Sequence, residues 1–181
     1  YLKAIKRKRS THVIAPTHAE GRAVTGEIRE RLRAAGAIGK EGFEYSRLQA
    51  LNLSDAEKSH GLSYAGPDLV IQFHQNVTGG FKRGQRYRVS LDDGNKPMLQ
   101  AIEGGPLKPL PKQHADRFEV YRVETLQFSK GDKIRFSLGG TAVDGKRKLS
   151  NGRIDEIKDV DERGNLVLNS GMVVSKDYGH F

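Results

Sequence analysis

The sequence predicts an α+β protein in which an α/β opening gives way to a β-rich remainder. Three observations carry this expectation. A capping box followed by apolar residues at helical spacing stands near the start, at Thr17-His18-Ala19-Glu20. After Gly66-Pro67 short β-rich runs alternate with turns. An Asp-led strand, a long basic loop, a glycine and a second alternating strand occur twice, from Asp68 and again from Asp132. The boundaries read from these features are 1–64 for the α/β segment and 65–181 for the β-rich region, the latter as two barrel-like units at about 65–123 and 124–176.

The elements follow in order. Tyr1–Ser10 reads as a helix end carrying Lys3, Lys6, Arg7, Lys8 and Arg9, and Thr11–Ala15 as a short strand closed by Pro16. The Thr17 hydroxyl is placed to accept from the Glu20 N–H while the Glu20 carboxylate reaches back to Thr17. Behind this cap Ala23, Val24, Ile28, Leu32 and Ala35 form one apolar stripe, and Gly36 stops the helix. Arg29, Arg31 and Arg33 lie toward its C-terminal end, where the helix dipole favours cations. Ser54-Asp-Ala-Glu57 is a second capping box, opening a shorter helix that ends before Gly61. The stretch from Gly39 to Asn52 has no decisive period. Strands are expected at 69–73, 85–90, 118–123, 133–138, 153–160, 165–168 and 172–174.

Composition narrows the chemistry. The 181 residues carry 31 Lys+Arg against 22 Asp+Glu, a formal net charge of +9. No apolar run approaches the ~18–20 residues of a membrane span, so no membrane insertion is expected. The absence of cysteine removes disulfides, thiolate-bound zinc, iron–sulfur clusters and thiol nucleophiles, and suits a reducing cytoplasm. Tyr1 stands where an initiator would, and the only methionines are Met98 and Met172, so the sequence reads as a piece of a longer protein.

Several motifs fail on inspection. Gly140-Thr-Ala-Val-Asp-Gly-Lys146 fits a phosphate-binding loop, but Arg147 replaces the magnesium-binding Ser or Thr and no helix pattern follows, which leaves a hairpin loop. His18-Ala-Glu20 matches half of a zinc-deaminase signature whose other half needs cysteine. Asp159-Val-Asp161 begins like a calcium loop, yet Arg163 takes a ligand position and Ser170 stands where Glu belongs. The remaining histidines are scattered, and no self-contained catalytic centre or metal site emerges.

The cations are more informative. Lys82, Arg83, Arg86 and Arg88 form one cluster, and Lys146, Arg147 and Lys148, continued by Arg153, form another at the corresponding place in the second β unit. Phe73, Phe81 and Tyr87 lie near the first and Phe136 near the second. Loops that present cations and rings from a small barrel hold single-stranded nucleic acid in many modules. Phe81 and the seven residues Lys82, Arg83, Arg86, Arg88, Lys146, Arg147 and Lys148 are therefore the DNA-binding candidates.

The residues also resemble a known family. Ile14-Ala-Pro-Thr-His-Ala-Glu-Gly-Arg22 followed by Ile28-Arg-Glu-Arg-Leu32 looks like the start of the second RecA-like lobe of RecD-type superfamily 1 DNA helicases. The likeness is strongest to the helicase portion of conjugative relaxases of the TraI/TrwC (MobF) type. It continues through Leu51–Glu57, Val70–Asn76, Gly80–Gly84, Asp116–Tyr121, Gly131–Arg135, Leu149–Gly152 and Asp177–His180. The resemblance implies a partial RecA-like segment interrupted by a β-rich insertion with one or two SH3-like barrels. It implies a fragment that contacts DNA, chiefly single-stranded, during ATP-driven unwinding and plasmid transfer in the bacterial cytoplasm. It places Thr17, His18 and Arg22 in or beside a turn close to nucleotide and DNA. The family's ATP and magnesium sites lie in segments outside these residues, so no cofactor and no ATPase activity are expected of the fragment itself. Such insertions are also associated with type IV secretion, which makes secretion or accessory proteins alternative partners. A protein-interaction module and a vestigial structural segment are the two competing readings.

Overall fold

The computed structural model describes Arg7 and residues 13–181, the side chain of His18 excepted. The fold is mixed α+β with mostly antiparallel sheets. Two helices are described, α1 (His18–Ala34) and α2 (Asp55–Ser59), with 3-10 turns at Gly61–Tyr64 and Lys112–Arg117. The strands are β1 (Phe43–Ala50), β2 (Leu69–Phe73), β3 (Arg86–Leu91), β4 (Pro97–Ala101), β5 (Lys108–Pro109) and β6 (Phe118–Phe128). They continue with β7 (Lys133–Arg135), β8 (Gly140–Thr141), β9 (Lys148–Leu149), β10 (Ile154–Val160), β11 (Leu166–Leu168) and β12 (Val173–Val174). Hydrogen bonding orders them β1-β6-β2-β3-β4-β5, β12-β11-β10-β7 and β8-β9.

Both capping boxes form. Glu20 N–H donates to Thr17 Oγ1 at 3.2 Å and Thr17 N–H to Glu20 Oε2 at 3.1 Å. Ser54 and Glu57 repeat the exchange at α2. Gly36, at φ +67°, ends α1 with the paired bonds of a Schellman motif, Ala37 N–H to Leu32 O and Gly36 N–H to Arg33 O. Val13–Ala15 form no strand, which corrects the expectation for Thr11–Ala15 as far as it can be followed, since Thr11 and His12 lie outside the described residues. Among the described residues no strand runs beside Val13–Ala15, and a strand without a ladder leaves its backbone to water. The helical stripe is shallowly covered: Ala23 and Val24 are exposed, Ile28 and Leu32 half-buried. The basic run at Lys3–Arg9 lies outside the described residues except for Arg7, which is exposed.

The chain divides into two compact units. The first gathers the residues up to Tyr45, Gln127–Gly179 and Phe181. Its core holds Ile134, Phe136, Leu149, Ile157, Leu166, Leu168 and Val174, all at most 3% exposed. In this unit Arg29 on α1 forks onto Asp132, with Nη2 2.7 Å from Oδ2, and the same carboxylate oxygen accepts the Ser129 N–H at 2.8 Å. Between them Gly131 sits at φ +88°, and a Cβ there would lie 2.9 Å from the Ala37 carbonyl oxygen. Any side chain would therefore push this turn off the loop that follows α1.

The second unit comprises Ser46–Leu126 and His180. One face of its sheet buries Leu69, Ile71, Phe73, Tyr87, Leu99, Phe118 and Val120. Phe73 is the hub, with ring centroids 4.8 Å from Phe81 and 5.5 Å from both Tyr87 and Phe118. Lys58 on α2 is buried too. Its ammonium group is 3.5 Å from Glu119 and lies over the Phe118 ring, so the charge is paired rather than stranded.

Candidate nucleic-acid interface

The repeated sequence pattern has a repeated structure. In the second unit β2 and β3 pair antiparallel, with Val70 opposite Arg88. In the first unit β7 and β10 pair antiparallel, with Asp155 opposite Ile134. Each pair closes on a buried phenylalanine. Phe73 N–H donates to Gln85 O and Gly84 N–H to Phe73 O; Phe136 N–H donates to Arg153 O and Gly152 N–H to Phe136 O. Each is reached through a turn, Lys82–Gln85 and Ser150–Arg153, whose ends bond at 3.1 and 3.2 Å. The third residue of each turn is a glycine in the left-handed region, Gly84 at +83° and Gly152 at +80°. Four residues beyond each phenylalanine the loop pairs with itself, Val77 with Phe81 and Gly140 with Leu149.

This correspondence locates the sequence-predicted site residues. Phe81 and Leu149 each stand three residues before the turn glycine, and both are buried, at 4% and 2% exposure. Phe81 is therefore a core ring, stacked on Phe73 and covered by the Lys108 ammonium 5.3 Å from its centroid. The stacking surface expected of it for DNA bases is already occupied by protein. The cations, in contrast, face solvent. Lys82 and Arg83 are exposed on the turn, Arg88 is exposed on β3, and Arg86 is half-buried on the same strand face. Arg83 is fixed through its backbone, whose N–H donates to Asn76 Oδ1 at 2.8 Å, leaving the shape of the turn independent of the guanidinium.

The second cluster is placed differently within its copy of the motif. Lys146, Arg147 and Lys148 precede the anchor Leu149, whereas Lys82 and Arg83 follow the anchor Phe81. All three are exposed on the β8–β9 hairpin. A residue that motif reading passed over, Asp144, organises them. It accepts the backbone N–H groups of Lys146 and Arg147 at 2.9 and 3.0 Å and the Arg147 Nε at 2.6 Å. Those hydrogen bonds, the Arg147 backbone first, hold the Asp144 carboxyl down to about 2. The Asp–Gly pair immediately ahead of a basic run was the available signal. Lys148 donates to the Thr141 hydroxyl at 3.2 Å, a neutral partner that leaves its charge uncancelled. The Gly140–Lys146 stretch thus folds as a hairpin whose inward backbone amides hold an internal carboxylate, with no helix after it, and it does not fit a nucleotide triphosphate.

The residues placed near nucleotide by resemblance stand apart from both clusters in sequence. Thr17 caps α1 and Arg22 is exposed one turn into it, while the His18 side chain lies outside the described part. In the second unit His180 is the other residue that sequence reading left without a role. It is 3% exposed, its Nε2 lies 2.7 Å from Gln72 Oε1, and its ring meets Tyr121 edge-on. Burial first, and the Arg86 charge second, push its pKa down to about 4. His180 is thus neutral at pH 7 and adds no second positive charge beside Arg86.

Among the described residues no group of three or more histidines or carboxylates is gathered for a metal ion. No described helix is long and apolar enough to cross a membrane. No protein-family model matches the chain, and no curated protein matches it.

Proposed function

We propose that this chain is a DNA-contacting part of a conjugative relaxase-helicase of the TraI/TrwC type. On this reading it combines a partial second RecA-like lobe with its β-rich, SH3-like insertion, and helps guide the DNA strand while ATP is used elsewhere in the parent protein. The observation that carries the reading is the repeated motif. Two copies of one strand–loop–strand unit each present a group of exposed cations, Lys82/Arg83/Arg88 and Lys146/Arg147/Lys148, on loops held in shape by the core residues beneath them. Neutralising phosphates with such groups yields affinity that falls steeply with salt and does not depend on sequence, which is what a translocating motor needs from its guide.

Fluorescence anisotropy with a labelled oligonucleotide, titrated across salt, tests this. Binding should persist at about 150 mM salt, and the charge reversals Lys82→Glu/Arg83→Glu and Lys146→Glu/Arg147→Glu should each weaken it and flatten the salt slope. No binding by the unmodified chain at that salt would reject the reading. A second reading, docking onto a secretion or accessory protein, draws on Val24 and Ile14, which are 38% and 91% exposed. It predicts that DNA binding fails while the apolar side chains Ile14 and Val24 remain important.

A further inference from the structure

We infer that the chain grips nucleic acid by the phosphodiester backbone alone, without stacking bases, so that single strands and duplexes are held alike. This rests on the DNA-contacting reading and specifies its ligand chemistry. Lys82, Arg83, Arg88, Lys146, Arg147 and Lys148 are all exposed, while no Phe or Tyr from Phe43 onward is. There is no tryptophan. Of the four half-buried rings, three are engaged inside their own units, and the fourth, Phe43, lies on β1 away from both cation clusters in sequence. Tyr121 takes the edge of His180, Phe128 packs on Tyr45 and Phe181, and Tyr178 packs on Phe136 while its hydroxyl donates to the Leu138 carbonyl.

The repeat makes the same point by substitution. Where one copy places Phe81 beside its cations, the other places Leu149, equally buried and incapable of π-stacking. The position selects for core volume, and the feature shared by the two copies at their surface is positive charge. Single-strand binders that favour unpaired bases need an open ring face for each stacked base. Here the surface supplies point charges and guanidinium forks, which match phosphate oxygens.

The test compares three ligands of equal phosphate number: a mixed-sequence single strand, the same length made abasic, and a duplex with that number of phosphates. Affinities for the two single strands should agree within about twofold at each salt concentration, with parallel salt slopes, and the duplex should bind at least as tightly, as expected when phosphate charge sets the affinity. A loss of about tenfold or more on removing the bases would overturn the inference, since that is what stacking of one or two bases is worth. The exposed histidine rings are covered by the same comparison: a His74→Ala variant that abolished a base-dependent component would identify the ring responsible and likewise overturn it. Failure of all three ligands to bind would reject the DNA-contacting reading itself, so the two failures are distinguishable.

Discussion

The two copies of the strand–loop–strand motif share a skeleton and differ in how they carry charge. In the second unit the cations sit on a short turn and along β3, and their positions are set by Gly84, Asn76 and the packed ring of Phe81. In the first unit they sit on a longer hairpin held by the Asp144 carboxylate, which pairs with one of the cations it positions. The comparison teaches that three exposed cations in each cluster do not make two equal electrostatic surfaces. The β2–β3 copy offers its charge to solvent, whereas the β8–β9 copy returns part of it to an internal acid. It also separates what the motif conserves for folding, a buried anchor and a left-handed glycine, from what it varies at the surface.

The sharpest way to break this comparison is to exchange the anchors. Phe81→Ala and Leu149→Ala remove fully packed side chains and should cost about 3–5 and about 2–5 kcal/mol of stability respectively, read by denaturant unfolding. Phe81→Leu installs the other copy's residue and should cost under about 2 kcal/mol, a shape change rather than a deletion, with oligonucleotide affinity unchanged. A Phe81→Leu chain of normal stability that no longer bound DNA would restore a ligand role to that ring and undo the equivalence.

Next in size is a pH effect confined to the second unit. The His180 pKa is near 4 when folded against an ordinary value of 6.5, so between those values the unfolded chain binds more protons. Stability is therefore complete above pH 6.5, falls as the pH drops toward 4, and changes no further from this group below that. The total is on the order of 3 kcal/mol. Urea midpoints measured from pH 8 to 4 should show this decline, and His180→Asn should flatten it. An unchanged slope in the variant would mean that other groups carry the acid sensitivity.

Local chemistry explains what could be read from the sequence. Thr17/Glu20 and Ser54/Glu57 announce their helices because a cap is a contact within four residues, and Gly36 announces its stop for the same reason. Strand β2 was expected at 69–73 and forms over Leu69–Phe73, where an apolar run is buried on both faces. Strand β1 was not legible. Its residues alternate too weakly, with only Tyr45 and Leu48 buried, because its place is fixed by pairing with β6 some seventy residues on. Phe81 differs from expectation for a related reason: adjacency to Lys82 in sequence suggested a shared surface, but the ring stacks on Phe73, eight residues back, and turns into the core while Lys82 stays exposed. Asp144 was legible in principle, since its bonds to Lys146 and Arg147 span two and three residues, whereas His180 acquires its role from Gln72, which only the folded chain brings within reach.

The smallest predicted effect is the most direct probe of the difference between the copies. Asp144→Asn keeps an oxygen for the Lys146 and Arg147 N–H groups but removes the charge that engages the Arg147 guanidinium. If phosphate contacts set the affinity, the released cation should tighten oligonucleotide binding about two- to fivefold, the scale of one exposed ion pair, and steepen the salt dependence by up to about one phosphate contact. A bare increase in net charge would also tighten binding, so the control must add the same charge elsewhere in the same unit. Asp161→Asn does this: its carboxylate likewise accepts backbone N–H groups in a turn, from Arg163 and Asn165, without holding a guanidinium. Tightening by Asp144→Asn and not by Asp161→Asn would place the β8–β9 hairpin at the phosphate contact, with Asp144 as its internal competitor. Equal tightening by both would reduce Asp144 to a turn former and leave the β2–β3 copy as the better-supported DNA-contacting loop.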